Sequence, residues 1–157
     1  MSKSTPATKA LEASGAAFTV HTYDYDPAAE RIGLHAAEAL GEDPARMLKT
    51  LMVLLDGKPA CAVIPADKEV AMKKLAAALG GKHAEMMKPA EAERVTGYKV
   101  GGISAFGQRR KVPIAIEAAA LDQPYVYING GQRGLQVRLD PQEARRALGA
   151  VVAAIVG

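Results

Sequence analysis

A lysine two residues before an apolar run is the first residue whose type and position suggest chemistry. Lys49 belongs to the segment 46–50 and precedes the continuously apolar residues 51–55, which are typical of a strand covered on both faces. A lysine at the junction between a helix and such a strand can place its aliphatic stem in the core and its ammonium in a cleft. The alternative is a surface lysine that extends into solvent, and the residues alone leave both interpretations open.

A glycine-rich segment is the second candidate for a functional site. Residues 96–107 include four glycines, among them the pair Gly101 and Gly102, which Ile103 and Ser104 follow. Because glycine has no Cβ, backbone N–H groups in such a loop can converge on an anion or a carbonyl oxygen. The spacing matches neither a phosphate-binding loop nor a dinucleotide fingerprint, so an irregular loop that needs positive φ angles is the alternative.

Two further polar segments could complete a pocket. Basic residues 109–111 directly follow the glycine-rich segment, where they can bind phosphates, although a charge run is usually a solvated loop. Residues 129–134, Asn-Gly-Gly-Gln-Arg-Gly, join two predicted strands. They form either a bare turn or, if they face the first glycine segment across a sheet end, a second wall with Arg133 as an anion ligand.

The sequence lacks the motifs of a side-chain nucleophile or a metal site. There is no Gly-x-Ser-x-Gly, no His-Glu-x-x-His and no Cys/His pair at zinc spacing, and the three histidines lie in different predicted elements. Cys61 lies in an apolar run and is predicted to be a buried packing residue. We therefore expect neither a metal nor a cofactor.

Hydrophobic periodicity and turn residues predict the elements that position these segments. Helices and strands mix without regular βαβ alternation, which predicts an α+β (mixed α/β) fold with a curved, mixed, barrel-like sheet flanked by helices. Predicted helices run from Thr5 to Gly15, over 33–40, from Asp43 toward Lys49, from Asp67 to Leu79, from Lys88 to about Arg94, and from Asp140 through Ile155. Predicted strands cover residues 18–23, 51–55, 60–64, 114–117, 125–129 and 135–139.

Composition limits the class of protein. The 157 residues are 49% hydrophobic and 24% charged, which excludes a disordered or fibrous chain and fits one domain over residues 1–157. A single cysteine excludes an internal disulfide, and no apolar run approaches the roughly 20 residues that span a bilayer. We expect a soluble cytoplasmic protein. A net charge of +3 is compatible with a nucleic-acid partner without requiring one.

These segments together resemble the YbaK family of bacterial trans-editing proteins, which deacylate Cys-tRNA(Pro) and related mischarged tRNAs. The resemblance extends over essentially the whole chain. It implies a compact mixed α/β domain, related to the editing insertion of prolyl-tRNA synthetases, whose pocket takes the aminoacylated 3′ end of a tRNA. The motifs that carry it are His21-Thr22-Tyr23, Lys49-Thr50-Leu51, Thr96-Gly97-Tyr98, Gly101 to Ser104, Phe106-Gly107, Gly130-Gly131 and Arg133-Gly134-Leu135.

The resemblance also implies roles for particular residues. Lys49 falls on the essential lysine of the family. The implied substrate-binding residues are Tyr23, Ile32, Thr50, Gly101, Gly102, Ile103, Ser104, Asn129, Gly130, Gly131 and Gln136. The implied tRNA-binding residues are Lys99, Arg109, Arg110, Lys111 and Arg133. This sequence departs from the family pattern at Ile32, Ala105, Asn129 and Gln136, and one polar group in a small pocket can decide which amino acid is accepted.

The expected activity is substrate-assisted cleavage of an aminoacyl ester. The expected partners are a mischarged tRNA(Pro) and, in a transient complex, prolyl-tRNA synthetase, with no membrane involved. Two alternatives remain open. One is a deacylase for another mischarged tRNA, such as an Ala- or Ser-tRNA. The other is a non-catalytic module that binds aminoacyl-tRNA or a synthetase.

Overall fold

The computed structural model describes residues 4–28 and 32–157. Within these ranges the chain forms α-helices and strands, with short 3₁₀ helices at Pro44–Arg46 and Ala118–Asp122. The helices are α1 (Pro6–Ser14), α2 (Ile32–Leu40), α3 (Met72–Ala78), α4 (Pro89–Thr96) and α5 (Pro141–Leu148). The strands are β1 (Phe18–Thr22), β2 (Leu48–Leu55), β3 (Lys58–Pro65), β4 (Ala84–Met86), β5 (Ile114–Glu117), β6 (Val126–Asn129), β7 (Leu135–Leu139) and β8 (Val151–Ala153).

The strands form two sheets. The smaller sheet has the order β1-β7-β6 and is antiparallel throughout. The larger sheet has the order β4-β2-β3-β5-β8 and is mixed, because β5 pairs parallel with both β3 and β8. An isolated parallel bridge between Met47 and Tyr127 connects the start of β2 to β6. The α+β prediction is thus confirmed, but no closed barrel forms within the described residues.

Strand alternation places the main core between the two sheets. In the smaller sheet Ile128 and Val137 point inward, and in the larger sheet Met52 and Val63 share the same apolar cluster. A second cluster on the other side of the larger sheet packs Leu75 and its neighbours of α3 against the strands. The opposite face of the smaller sheet is polar and aromatic, and α2 packs over part of it.

Local sequence signals explain several boundaries. Thr5 caps α1 in a capping box, and Gly15 ends it in the left-handed conformation. The Asp56-Gly57 turn has positive φ at both residues (49° and 82°), as the predicted tight hairpin between β2 and β3 requires. Asp140 caps α5 by accepting a hydrogen bond from the Gln142 amide.

Four predicted boundaries are wrong. The last helix does not continue to Ile155, because Gly149 ends it with φ 62° and the chain turns into β8. Asp67 does not cap α3, whose first turn follows Ala71. The helix predicted from Asp43 is a single 3₁₀ turn. Strand β2 therefore starts at Leu48, so Lys49 and Thr50 lie within a strand and not before it.

Two short strands were not predicted: β8, which the sequence analysis placed inside the last helix, and β4. β4 pairs antiparallel with the end of β2 and forms an edge of the larger sheet. In the part of the chain that the structure describes, no helix has both the length and the apolar character needed to cross a membrane.

Candidate functional site

The two glycine segments meet backbone to backbone. We call residues 97–107 the first glycine loop and residues 129–134 the second glycine loop. A Cβ built on Gly102 would lie 2.8 Å from the Arg133 amide nitrogen and 3.0 Å from the Gln132 carbonyl carbon. Only glycine therefore allows this close approach, and the predicted facing of the two segments is present in the structure.

Asn129 links the two loops through its side chain. Its Nδ2 donates to the Gly101 carbonyl oxygen at 3.3 Å, and its Oδ1 accepts from the Gly131 amide at 2.7 Å. Both ends of the amide are therefore used inside the protein. Asn129 thus fixes the spacing of the loops, and its predicted contact with substrate stays a prediction.

A cleft of about 420 Å³ opens where the loops meet. The exposed Lys99 and Arg133 lie on its wall, and Arg133 Nε donates to the Val100 carbonyl oxygen at 2.8 Å. A concave site of this size is within the range that binds a small ligand. Its lining residues are Pro6, Gly97, Tyr98, Lys99, Gly102, Gly131, Gln132 and Arg133.

The other predicted basic residues separate into two places. The Arg109 side chain lies over Gly97, with Nε 3.3 Å from a Cβ built there, and so borders the same cleft. Arg110 and Lys111 are exposed and line two smaller clefts, one against α5 and one beside the β2–β3 hairpin. The structure therefore brings Lys99 and Arg133 together, with Arg109 beside them, but not all five cations.

Three predicted pocket residues carry buried polar atoms that lack a hydrogen-bond partner. Among the described residues only four side-chain atoms are in this state, and three of them are Tyr23 OH, Thr50 Oγ1 and Gln136 Oε1. The fourth is Gln108 Oε1. Tyr23 and Gln136 lie close enough together that the Gln136 side chain opposes the rise that burial causes in the pKa of the Tyr23 phenol, whereas Thr50 belongs to the side of β2 that faces the main core. Since a buried polar atom with an incomplete set of hydrogen bonds costs free energy, the Tyr23–Gln136 pair indicates a place prepared for a polar group of a ligand.

Gln136 and Tyr23 lie together at one end of the smaller sheet. Gln136 is 5% exposed and pairs with His21 on β1 and with Asn129 on β6. Tyr23 continues β1 by donating its amide to the Gly134 carbonyl oxygen at 3.0 Å. Burial raises the pKa of the Tyr23 phenol, and the Gln136 side chain partly opposes this shift. Tyr23 therefore presents a neutral hydroxyl at ordinary pH.

Lys49 lies on the outer face of the sheets. Met47, two residues earlier, packs with Tyr127, and strand alternation gives Lys49 the same side as Met47. The Lys49 side chain is 22% exposed, and its Nζ is 3.9 Å from Oε1 of Glu69, which is 80% exposed. The stem is thus mostly buried, but Lys49 is not among the residues that line the cleft between the glycine loops, so its place in the substrate site stays a prediction. The Thr50 side chain points to the opposite face, toward the main core.

The other predicted site residues that the structure describes pack or form hydrogen bonds inside the protein. Ser104 is fully buried, and its Oγ accepts from the Phe106 amide at 3.1 Å. Ile103 packs against the main core. The Gly130 carbonyl oxygen accepts a hydrogen bond from Thr5 Oγ1. Ile32 begins α2, but its side chain lies outside the described part of the chain.

Tyr25 is a site residue that the sequence analysis missed. Its hydroxyl oxygen would lie 2.5 Å from a Cβ at Gly101, whose φ is +90°, and the Arg133 guanidinium lies over its ring at 5.4 Å. Tyr25 thus covers Gly101 and connects it to the second glycine loop. The signal was its position two residues after Tyr23, which gives both side chains the same side of an extended chain.

The structure offers no metal centre and no activated cysteine within the residues that it describes. No three His, Cys, Asp or Glu side chains come together there as a set of metal ligands. Cys61 is fully buried on β3, and burial raises its pKa to about 12, so the thiol stays protonated. Cys61 is therefore a packing residue, as predicted.

Comparison with known proteins identifies the family. The model of the aminoacyl-tRNA editing domain matches residues 27–147. The chain belongs to this family. The resemblance predicted from the motifs is thereby confirmed, and the names of the relatives agree with the prediction of an aminoacyl-tRNA deacylase.

Two curated relatives are similar over part of their length. One is EbsC of Enterococcus faecalis, named as a candidate Cys-tRNA(Pro)/Cys-tRNA(Cys) deacylase, with 36% identity over 107 residues. The alignment covers 68% of this chain and 65% of EbsC, just under two thirds of that protein. The other is a proline–tRNA ligase of Acidithiobacillus ferrooxidans, with 33% identity over 85 residues, 54% of this chain and 15% of the ligase.

Solved structures confirm the fold over nearly the whole chain. A hypothetical protein, APE2540, superposes with a TM-score of 0.87 at 26% identity, covering 98% of this chain and 100% of that one. A candidate trans-editing enzyme for prolyl-tRNA synthetase superposes with a TM-score of 0.84 at 24% identity, covering 97% and 95%.

Proposed function

We propose that this protein is a trans-editing hydrolase that cleaves the ester bond of a mischarged aminoacyl-tRNA, with Cys-tRNA(Pro) as the preferred substrate. Cys-tRNA(Cys) is a second substrate on this proposal. Membership of the editing-domain family supports the class of reaction. The name of the Enterococcus faecalis relative supports cysteine as the amino acid. The alignment with a proline–tRNA ligase supports prolyl-tRNA synthetase as the source of the tRNA and as a transient partner.

The buried polar atoms without partners are the observation that carries the proposal. Tyr23 OH and Gln136 Oε1 are withdrawn from solvent on one face of the smaller sheet, and Thr50 Oγ1 is buried on the other side, toward the main core. A protein that used these positions only for packing would be more stable with apolar side chains there. An aminoacyl-adenosine has amino, carbonyl and hydroxyl groups that could satisfy such atoms. The Tyr23 hydroxyl and the Gln136 side-chain oxygen belong to neighbouring residues at one end of the smaller sheet.

The chemistry requires positioning of the substrate and no side-chain nucleophile from the protein. The thiol of the esterified cysteine attacks its own carbonyl carbon, forming a C–S bond as the ester C–O bond breaks. The ribose oxygen leaves with the proton that the thiol gives up, and water then opens the cyclic thioester. Holding the reacting groups in the right geometry can supply about 7–11 kcal/mol in favourable cases. For other amino acids, water or the terminal ribose hydroxyl is the nucleophile.

Each site residue has a separate role on this proposal. Lys49 binds the substrate carbonyl oxygen or the terminal phosphate with its ammonium. Gly101 and Gly102 orient the ester, and Tyr23 shapes the pocket. Lys99 and Arg133, which line the cleft, neutralise phosphates of the acceptor end.

Deacylation of four mischarged tRNAs tests the proposal. We expect Cys-tRNA(Pro) to be cleaved faster than Ser-, Ala- or Pro-tRNA(Pro). Equal rates for the serine and cysteine esters would remove the thiol from the mechanism. A preference for an alanine or serine ester would instead support a deacylase of another specificity. The neutral side chains of Asn129 and Gln136 are compatible with that alternative.

Variants of Lys49 separate catalysis from binding alone. Lys49→Ala should abolish turnover in a folded protein, and Lys49→Arg should restore little, because a planar fork does not replace a compact ammonium. Cys61→Ala is the control and should retain activity, since the Cys61 thiol is buried and protonated. Binding of mischarged tRNA without turnover by the wild type would favour the non-catalytic module.

A further inference from the structure

Two guanidinium groups lie over one tyrosine ring on the polar face of the smaller sheet. The Arg138 guanidinium carbon is 3.7 Å from the centre of the Tyr125 ring, and that of Arg46 is 5.1 Å from it. Arg138 belongs to β7, Tyr125 directly precedes β6, and Arg46 ends the 3₁₀ helix before β2. Each of the three side chains is partly exposed. We call these three residues the arginine–tyrosine stack.

Hydrogen bonds hold the stack in place, and its two guanidinium groups have one carboxylate nearby, that of Glu42, which reaches the stack through the Tyr125 hydroxyl. Arg46 Nε donates to Gln123 Oε1 at 3.0 Å. The nearby carboxylate of Glu42 accepts from the Tyr125 hydroxyl at 2.9 Å, and within the described residues no carboxylate oxygen lies within 4 Å of either guanidinium. Two like charges beside one ring repel each other. An anionic ligand would relieve this repulsion, and guanidinium groups are well suited to phosphates.

The stack lies next to the proposed pocket on the same sheet face. Gln136 and Arg138 are two residues apart on β7, so their side chains share one face about 7 Å apart. Tyr127 and Asn129 on β6 share this face as well, through their pairing with Arg138 and Gln136. An ester held beside Gln136 is attached to the last nucleotide of a tRNA. The nucleotides before it must therefore leave the pocket across neighbouring surface.

We propose that the arginine–tyrosine stack binds the unpaired nucleotides that precede the aminoacylated 3′ end of the RNA substrate. This inference rests on the proposed function. The Arg138 guanidinium, backed by the Tyr125 ring, presents a flat face on which a base stacks, and both arginines neutralise phosphates. Stacking of bases on aromatic rings and guanidinium planes is a common mode of single-stranded RNA recognition.

The composition of the stack favours RNA over a protein partner. The exposed large hydrophobic residues of the described chain are Met86, Val100, Val151 and Val152, and none of them belongs to the stack. Aromatic and cationic groups without an apolar patch match a nucleic-acid strand better than the apolar centre of a protein interface.

Kinetics with a long and a short substrate test this site. The long substrate is the mischarged tRNA that the wild type cleaves best, and the short one is the same amino acid esterified to adenosine. Arg138→Ala should raise KM for the tRNA about tenfold and change KM for the aminoacyl-adenosine by less than about twofold. The slope of log kcat/KM against log salt should become shallower by about 0.7 for each phosphate that the variant no longer neutralises.

Further variants separate charge, stacking and folding. Arg138→Lys keeps the charge without the flat face and should give an intermediate KM for the tRNA. Arg46→Ala removes the second cation from a different element and should show the same selective effect. Arg145→Ala, an exposed arginine on α5, is the matched control and should leave both substrates unchanged. Thermal unfolding of each variant checks that it is folded.

Each outcome supports the site or overturns it. An equal rise in KM for both substrates would mean that Arg138 only supports the pocket, and no rise for the tRNA would mean that the stack does not bind RNA. A loss that appears only when prolyl-tRNA synthetase is added would indicate a protein partner and overturn the proposal. If the wild type cleaves neither substrate, the proposed function fails. Fluorescence anisotropy with a labelled single-stranded RNA ending in CCA then still tests the site, because Arg138→Ala should weaken that binding about tenfold.

Discussion

Replacing Thr50 by valine should stabilise the protein and impair its activity. The Thr50 hydroxyl is buried on β2 and has no hydrogen-bond partner, whereas valine has nearly the same shape and no polar atom. Leaving a buried hydroxyl unsatisfied costs about 1–3 kcal/mol, so Thr50→Val should raise the free energy of unfolding by about 1 kcal/mol. If the hydroxyl is reserved for substrate, kcat/KM for the mischarged tRNA should fall in the same variant.

Thr96→Val is the matched control, with the opposite sign expected. The Thr96 hydroxyl is also buried, but it donates to the Ala92 carbonyl oxygen at 2.7 Å and accepts from the Tyr98 amide at 3.1 Å. Its removal should lower the free energy of unfolding by about 1–3 kcal/mol. Urea titrations and deacylation assays on both variants measure the two effects. If Thr50→Val destabilises the protein as much as Thr96→Val does, the Thr50 hydroxyl is satisfied in the folded state and the reasoning is refuted.

Three other predictions concern the glycine loops and their surroundings. Gly102→Ala should lower the free energy of unfolding by about 1–3 kcal/mol and reduce kcat/KM, because the alanine methyl group would lie 2.8 Å from the Arg133 amide nitrogen. An unchanged urea unfolding curve would contradict the close approach of the loops. Asn129→Ala should cost about 1–3 kcal/mol in the same assay and speed amide exchange in both loops, since it leaves the Gly101 carbonyl and the Gly131 amide without their partner. Burial raises the pKa of Tyr98 from 10.0 to about 12. The stability that comes from its protonated phenol is therefore fully present below pH 10 and is lost as the pH rises toward 12. In urea titrations at several pH values, Tyr98→Phe should reduce the alkaline fall in the free energy of unfolding by up to about 1.4 kcal/mol per pH unit.

The features that the sequence predicted correctly depend on short stretches of chain. The cap at Thr5 and the turn at Asp56-Gly57 are set by residues a few positions apart, and the alternation over 135–139 correctly predicts a strand, although four of its five residues are buried. Strand β8 was missed because its pairing is non-local. Val151 lies opposite Ala115 in a parallel ladder, and nothing in its own short segment distinguishes it from the end of a helix.

In the site, too, features set by nearby residues were predicted and features that depend on distant segments were missed. The residue types of the two glycine loops predicted that they could form a pocket, because glycine signals close approach wherever it occurs. The bridging role of Asn129 and the cover that Tyr25 gives to Gly101 arise only when distant segments meet. The three residues of the arginine–tyrosine stack likewise come from three separate segments. No residue spacing within any one segment predicts that they meet.

Helix α1 supplies no substrate-binding residue on our proposal, yet it fixes both loops. Thr5 caps the helix and also donates its hydroxyl to the Gly130 carbonyl oxygen. A Cβ on Gly131 would lie 3.3 Å from that same hydroxyl oxygen, and one on Gly107 would overlap the Pro6 carbonyl. The first turn of α1 therefore touches the end of the first glycine loop and the middle of the second. Because the loops have few side chains of their own to pack, their spacing depends on this rigid helix. A change that loosens the cap at Thr5 would therefore change the shape of the cleft between the loops.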